Sequence, residues 1–573
     1  MVRRCSEKEN LLTIPQKSPE LYALSAQNDK AILAQSEANC YNAGMAKFYV
    51  TNSIPYVNAE PHIGHALEFI QSDVVNRYHR VLGDDVLYLC GSDENAIKNV
   101  QAAEKAGEGV QEFINRHAEE FQKLAESLDI HFDIFQKGSA ENHHKASQKL
   151  WDLCNKNGDI YKKKYKGLYC VGCEEFKTPS ELNENGECPE HPGKKLEEVE
   201  EENYFFSLSK YKDRLLALIE SNTYHIVPEF RKNEILSFAR RGLEDFSISR
   251  SNKRAKDWGV PVPGDPTQRI YVWFDALNIY QSGIGFGADS EGGAHLQGEA
   301  ADKRGSLGKN KRTLTEKDYE HWWPADLHVI GKGIIRFHAV YWPAILMSAG
   351  LKLPKGLFVH EYFTVNGQKM SKTLGNVINP LDMVEKYGAD ALRYYCLAKI
   401  SPFQDGDFSE KKLVEAYNAD LANGLGNLVA RVAKLAEKHD IVISNESKTT
   451  DKSTERKQED FSAPPRNDNQ NDRHPELVSE SLDENVLKHL NSFEFNDALS
   501  VIWKWIRDAD QKINQEKPWE LEGEKANKVL TELVEVIVKV ATNLKPFLPE
   551  ASSKILKQFS GKIKSQTPLF PRI

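Results

Sequence analysis

Apolar residues recur along the chain with two different spacings, and the alternation between them outlines an α/β unit. Lys47-Phe-Tyr-Val-Thr51 is short and rich in β-formers, which predicts a strand. After a polar loop, Ile63, Leu67, Ile70, Val74, Tyr78 and Val81 return at helical spacing, and Gly83 supplies the stop. Asp85-Val-Leu-Tyr-Leu-Cys90 is a second apolar run of strand length. Strand, helix and strand joined by so short a crossover predict a parallel βαβ unit. A long helical region is expected up to Leu128. Ile270-Tyr-Val-Trp-Phe-Asp275 reads as a buried strand ending in a carboxylate, and Leu327-His-Val-Ile-Gly331 as a third strand of the sheet. Lys332-Gly-Ile-Ile-Arg-Phe-His338 opens an apolar helix, and Phe363-Thr-Val-Asn-Gly-Gln is a strand running into a glycine turn at the far end of the same sheet.

Beyond Asp382 the pattern becomes helical throughout. Leu425, Leu428, Val432 and Leu435 share one face of a helix, and residues 525–544 form a second amphipathic stretch. Two stretches carry no pattern. Residues 283–315 are Gly-rich and charged, a surface insertion, and 442–482 are rich in Ser, Asn, Asp and Lys, a disordered insertion between helices. The acidic run from Glu197 to Glu202 reads as a solvated loop or helix face. Residues 1–44 are weakly patterned, so either a disordered extension or a true start at Met45 is expected, with an organellar address as a third option that Glu7, Glu9, Glu20, Asp29 and Glu37 count against.

Composition narrows this picture. The 573 residues are 40% hydrophobic and 28% charged, an ordinary soluble balance with room for several domains. A formal charge of −9 argues against indiscriminate nucleic-acid binding, so any RNA must be held by local basic patches. Of eight cysteines, Cys170, Cys173 and Cys188 cluster while Cys5, Cys40, Cys90, Cys154 and Cys396 are scattered, which is no disulfide framework and indicates a reducing, cytoplasmic setting. No apolar run approaches a membrane span and no secretory h-region is present.

Several constellations carry chemistry. His62-Ile-Gly-His65 falls where a strand hands over to a helix, at the carboxyl edge of a sheet, where open α/β sheets bind ligands and a helix N-terminus favours phosphate. Gly64 lets a nucleotide approach the backbone, and two imidazoles can bind phosphate without a fixed charge. Asp93, just past the second strand, suits a substrate ammonium group, the plain alternative being a helix N-cap. Cys170-Val-Gly-Cys173 and Cys188-Pro-Glu-His191 are two chelating pairs on tight turns, giving four protein ligands to a tetrahedral Zn²⁺ with no open position, hence a structural site. In Lys369-Met-Ser-Lys372-Thr373, two lysines flank Ser371 on a mobile loop and can clamp a triphosphate while charge develops on leaving pyrophosphate.

Together these motifs resemble the bacterial-type methionyl-tRNA synthetases of class I, over roughly residues 45–440 and 483–573. The resemblance implies a Rossmann-type parallel-sheet catalytic domain in two halves, 45–158 and 251–375, interrupted by a connective domain with the zinc knuckle at 159–250. A stem-contact region at 376–415 and an α-helical anticodon-binding bundle at 416–573 would follow. It implies that His62, Gly64, His65, Lys369, Ser371 and Lys372 bind Mg²⁺-ATP, with the two histidines and two lysines catalytic. It places L-methionine among Ile54, Tyr56, Trp273, Tyr280, Ile334 and His338, with Asp93 on the α-ammonium. Apolar and aromatic walls suit an unbranched thioether, and homocysteine would be rejected with the help of editing. It gives Asn427, Arg431 and Trp519 the reading of the CAU anticodon of tRNA(Met), and a monomer is expected. The implied reaction forms methionyl-adenylate and pyrophosphate, then passes methionine to the terminal adenosine of tRNA.

Four positions depart from the family pattern: Asn95-Ala96 where His-Gly is usual, Gly333 where an acidic residue touching the ribose is usual, and Thr373 for a serine. The alternatives are a catalytically inactive tRNA-binding relative and a class I synthetase for another amino acid.

Overall fold

A computed structural model describes residues 46–170, 172, 175–177, 182–189, 193–288, 314–370, 375–443 and 481–573. The chain is a mixed α/β structure built on a six-stranded parallel sheet. Its strands are β1 (Lys47–Asn52), β2 (Asp85–Ser92), β3 (Ile134–Lys137), β4 (His225–Val227), β5 (Leu327–Gly331) and β6 (Gly356–His360), in the spatial order β3-β2-β1-β5-β6-β4. Every pairing is parallel, with Thr51 of β1 beside Leu89 on one flank and His328 on the other. The strand order reverses between β1 and β5, which opens a crevice outside their carboxyl ends.

Alternate residues of each strand enter different cores, because side chains alternate across a sheet. Val50, Tyr88, Val329 and Phe358 face one core with helix α1 (Ile63–Val81), while Tyr49, Leu89, Ile330 and Leu357 face the other. Burial on both faces is why these strands read as unbroken apolar runs. The core on the α1 side continues through Leu392 and Tyr395 into the C-terminal helices at Leu499, Ile502, Leu533 and Val540. No helix among the described residues is long and apolar enough to cross a membrane.

Several expectations require correction. The strand over 270–275 stops at Ile270, where it pairs in a small antiparallel sheet, and Val272–Ala276 is helical. That short helix is buried all round, so its residues look like a core strand. Phe363–Val365 belongs to a separate three-stranded sheet with Gln368–Lys369 and Gly406–Phe408, not to the main sheet. The helical region before Leu128 is broken into Ile97–Ala106 and Val110–Ser127 by Gly107, whose φ is +71°.

The acidic run is neither loop nor helix. Glu197–Phe206 is a strand antiparallel to Ile160–Cys170, with Glu202 opposite Lys164 and Glu200 opposite Lys166. Opposite charges facing across the ladder stabilise it, and they hide a strand inside a run that looks like solvent-facing polarity. The interval 159–250 is not one unit either, since β4 at 225–227 joins the main sheet beside β6. Three residues are too few to announce a strand by periodicity. The insertions are shorter than expected. Ile284, Phe286 and Leu314 are buried, Val442–Ile443 pairs with Gly561–Lys562, and Leu482 is buried. The rest of both insertions, and residues 1–45, lie outside the described residues.

Candidate active site

The N-terminus of α1 is capped by its own two histidines. His62 is the N-cap, and the amide of Gly64 donates to its Nδ1 at 3.1 Å. In return the His62 amide donates to Nδ1 of His65 at 3.1 Å, a capping box made of imidazoles. The rings stack with centroids 3.8 Å apart. With each Nδ1 accepting, the proton of each neutral ring is on Nε2. Burial, with His62 beside it, holds the His65 pKa well below its ordinary value, so the ring is uncharged at neutral pH. Glu68, one turn further along α1, accepts from the amide of Ser53 at 2.9 Å and bonds Nε2 of His360 at 2.9 Å. Those contacts fix the helix against the ends of β1 and β6.

Gly64 lies close under the next motif. A Cβ added there would be 3.0 Å from Cε1 of His62 and 3.5 Å from Cε of Met370. The start of the Lys-Met-Ser-Lys stretch is therefore brought over the histidine cap. Ser371, Lys372 and Thr373, and the side chain of Lys369, lie outside what is described.

Beside the cap is an aromatic pocket. Tyr56 follows β1 and bridges Asp93, which follows β2. Asp93 is buried, and helix Ile97–Ala106 takes Ala96 as its N-cap, so the plain capping role does not apply to Asp93. Trp273 meets Tyr56 edge-on at 6.3 Å and His338 at 6.5 Å. His338 Nδ1 is 3.0 Å from the carbonyl of Ile334, so Nδ1 carries the proton and Nε2 accepts from the Tyr280 hydroxyl at 2.8 Å. Burial lowers the His338 pKa to about 4, which keeps the ring neutral at neutral pH. Ile54, half-buried, packs against the same core. Ile54, Tyr56, Asp93, Trp273, Tyr280, Ile334 and His338 are thus all carried by segments at or near the carboxyl edge of the sheet.

The sequence pattern does not single out the layer behind these residues. Phe337 stacks flat on Trp273 at 3.8 Å. His328 lies 4.4 Å from the Tyr280 ring and bonds Thr51 at 2.7 Å, and the Tyr224 hydroxyl donates to the His338 carbonyl at 3.0 Å. A histidine inside the apolar run of β5 is the available signal, since a buried polar group needs partners. Nε1 of Trp273 and Nε2 of His328 are buried without a hydrogen-bond partner among the described residues. Such orphans at a sheet's ligand edge fit a site that a ligand completes.

The departures have structural counterparts. Asn95 donates to the carbonyl of Gly138 at 2.8 Å and to Asp275 at 2.6 Å, tying the loop after β2 to the pocket's helix. Gly333 abuts Tyr362, whose hydroxyl accepts its amide at 2.7 Å.

Of the candidate zinc ligands, Cys170 and Cys188 are described, 1% and 0% exposed, whereas Cys173 and His191 lie outside the described residues. Cys188 follows the exposed loop residues Glu184, Asn185 and Gly186, and neither cysteine belongs to the two hydrophobic cores, which fits a metal-ligand role. Further along, Asn427 is exposed and Arg431, one turn on, bonds Asp510 and donates to Asn514 at 2.8 Å. Trp519 stands just past the end of that partner helix, Phe495–Glu516, and is 45% exposed.

Comparison with known proteins adds three findings. The family model described as tRNA synthetases class I (M) matches residues 48–199 and 191–433. The methionine–tRNA ligase of Thermotoga maritima is 41% identical over 526 residues, 90% of this chain and 76% of that protein, and the one from Nostoc sp. is 38% identical over 93% and 94%. Mycobacterium tuberculosis methionyl-tRNA synthetase in complex with methionyl-adenylate superposes with a TM-score of 0.77 at 34% identity, over 92% of this chain and 100% of that one.

Proposed function

Because this chain belongs to the methionine–tRNA ligase family of class I aminoacyl-tRNA synthetases, we propose that the crevice between β1 and β5 is where it makes methionyl-adenylate. The protein is an ATP-dependent methionine–tRNA ligase. The observation that carries the site assignment is the double histidine cap, which puts two neutral Nε2–H donors and a helix N-terminus beside an aromatic pocket whose own histidine is neutral.

ATP phosphates lie at His62, Gly64 and His65, with Mg²⁺ accompanying the nucleotide. Methionine packs its thioether among Ile54, Tyr56, Trp273, Tyr280, Ile334 and His338 while Asp93 pairs its ammonium group. The methionine carboxylate attacks the α-phosphorus in line, and the bond to pyrophosphate breaks. The imidazole donors, with Lys369, Ser371 and Lys372, stabilise the charge that builds on the phosphate oxygens. A hydroxyl of the tRNA's terminal adenosine then attacks the adenylate carbonyl and AMP leaves. Positioning carries both steps, and no covalent enzyme intermediate is required. Asn427, Arg431 and Trp519 offer an amide, a guanidinium and an exposed indole to unstacked anticodon bases.

The direct test is ATP–pyrophosphate exchange with each of the twenty amino acids, followed by charging of a tRNA with and without its CAU anticodon. Exchange with methionine alone is expected, and exchange with a different amino acid instead would reject the pocket assignment. Cys170, Cys173, Cys188 and His191 would hold one structural zinc, outside the reaction. Atomic emission is expected to find one zinc per chain, lost in Cys188→Ser with exchange reduced by less than about tenfold, since the metal supports only a local fold. Full-strength zinc in that variant would remove Cys188 from the ligand set.

A further inference from the structure

Asp275 is a buried carboxyl group that the two reaction steps leave without a task. It is 1% exposed and lies in the helical turn Val272–Ala276, two residues past Trp273. Nε2 of His143, itself fully buried, stands 3.5 Å from Oδ2, and Oδ1 has no hydrogen-bond partner among the described residues. Burying a carboxyl group with so few partners costs stability, so its place here calls for a reason. The short bond that it accepts comes from Nδ2 of Asn95, at 2.6 Å.

What that bond joins supplies the reason. Asn95 lies two residues past Asp93 in the loop after β2. Its amide also donates to the carbonyl of Gly138, just past β3, so three segments meet on one side chain. Asn99 donates to the Asp93 carbonyl at 2.8 Å and Trp258 to the Glu94 carbonyl at 2.8 Å, which makes the loop one rigid piece and passes any shift of Asn95 on to Asp93. On the other side of Asp275, Nδ1 of His143 is 2.8 Å from the hydroxyl of Ser282, in the turn Ile279–Ser282 that carries Tyr280. Asn95, Asp275, His143 and Ser282 therefore connect the loop of Asp93 to the turns of both Trp273 and Tyr280. In the pocket, Asp93 takes the ammonium end of the amino acid, and Trp273 and Tyr280 wall its far end. The separation of those two ends is the length against which a side chain is measured, and the Asn95–Asp275 bond spans the segments that set it.

We propose that Asn95 and Asp275 are positioning residues that set the length of the methionine pocket, and through it the choice of methionine over longer and shorter side chains; this rests on the methionine site assigned above. The test is pyrophosphate exchange with methionine, with ethionine, one heavy atom longer, and with norvaline, one heavy atom shorter. Asn95→Ala is expected to raise the KM for methionine about tenfold, with the KM for ATP unchanged. Its preference for methionine over ethionine should fall by about the same factor, since one methylene in a fitted pocket is worth about 10- to 200-fold. Asn95→Asp alone sets two carboxyl groups face to face and should do worse. Combined with Asp275→Asn it re-forms the bond in the opposite direction, and the pair should recover about tenfold in kcat/KM over Asn95→Asp, as expected for two groups in contact. Thermal midpoints check that each variant folds; if Asn95→Ala does not, the pair decides, since it must keep the wild-type preference. For a wild type that exchanges on methionine, an unchanged preference in Asn95→Ala, an equal rise in both KM values, or no recovery in the pair overturns the positioning role alone. A wild type that exchanges with another amino acid, or with none, overturns the methionine site and the positioning role together.

Discussion

His65→Asn is expected to slow methionine-dependent pyrophosphate exchange about 10²- to 10³-fold while shifting the thermal midpoint very little. The two nitrogens of the imidazole have separate duties. Nδ1 accepts the His62 amide and completes the helix cap, whereas Nε2–H is the donor proposed for the phosphate. An asparagine amide reaches about as far as Nδ1, so the cap survives, but it falls short of Nε2. Losing one preorganised donor to a charge that develops in the transition state costs about 10²- to 10³-fold in kcat. His65→Gln is the complementary change, because the longer amide extends to the Nε2 position and leaves the His62 amide uncapped. That variant should keep more activity and lose about 1 kcal/mol of stability, the usual worth of an N-cap. Wild-type kinetics in His65→Asn would show that the ring serves the helix alone.

Arg393→Ala is expected to lower the stability of the whole chain by about 3–5 kcal/mol, the cost of breaking a buried ion pair from one side. Arg393 is fully buried and spreads its guanidinium over four acceptors. Nη1 meets Asp73 of α1 at 2.8 Å and the Leu128 carbonyl at 3.2 Å, Nε donates to the Phe547 carbonyl at 2.8 Å, and Nη2 to that of Pro546 at 3.0 Å. Removing it strips buried carbonyls of their donors and leaves Asp73 with Arg77, at 2.6 Å, and the Asn76 amide, at 3.3 Å. Arg393→Lys keeps the charge but cannot span the fan of acceptors, so it should recover only part of the loss. Chemical denaturation followed by both tryptophan fluorescence and far-ultraviolet circular dichroism measures it; a midpoint change worth less than about 1 kcal/mol would mean that solvent replaces these contacts.

How far the sequence can be read depends on what each segment is packed against. β1, α1 and β2 follow from periodicity because both faces of the sheet are covered and the apolar pattern is unbroken. The histidine motif is local, so its place at the helix start can be foreseen; its capping geometry cannot, because it depends on rotamers. Glu197–Phe206 misleads because the lysines that neutralise it lie more than thirty residues away along the chain. The helical turn at Val272–Ala276 misleads because burial on all sides erases the difference between strand and helix periods. β4 is held by its neighbour β6 rather than by its own three residues. Tyr362 is invisible for the same reason: nothing in Phe363-Thr-Val discloses that a ring one residue earlier rests on two glycines about thirty residues upstream.

The core on the α1 side has a consequence for how this protein can be divided. Ile70 and Val74 of the catalytic helix belong to the same cluster as Leu499, Ile502 and Leu533 near the other end of the chain. A cut between the sheet and the C-terminal helices would not release two modules. It would bare one continuous oily seam on each fragment, and the active helix would lose the wall it leans on. The lysine–glutamate hairpin, held at its outer end by charge pairs, is instead where nature or an engineer can splice, lengthen or trade material while the reaction centre stays intact.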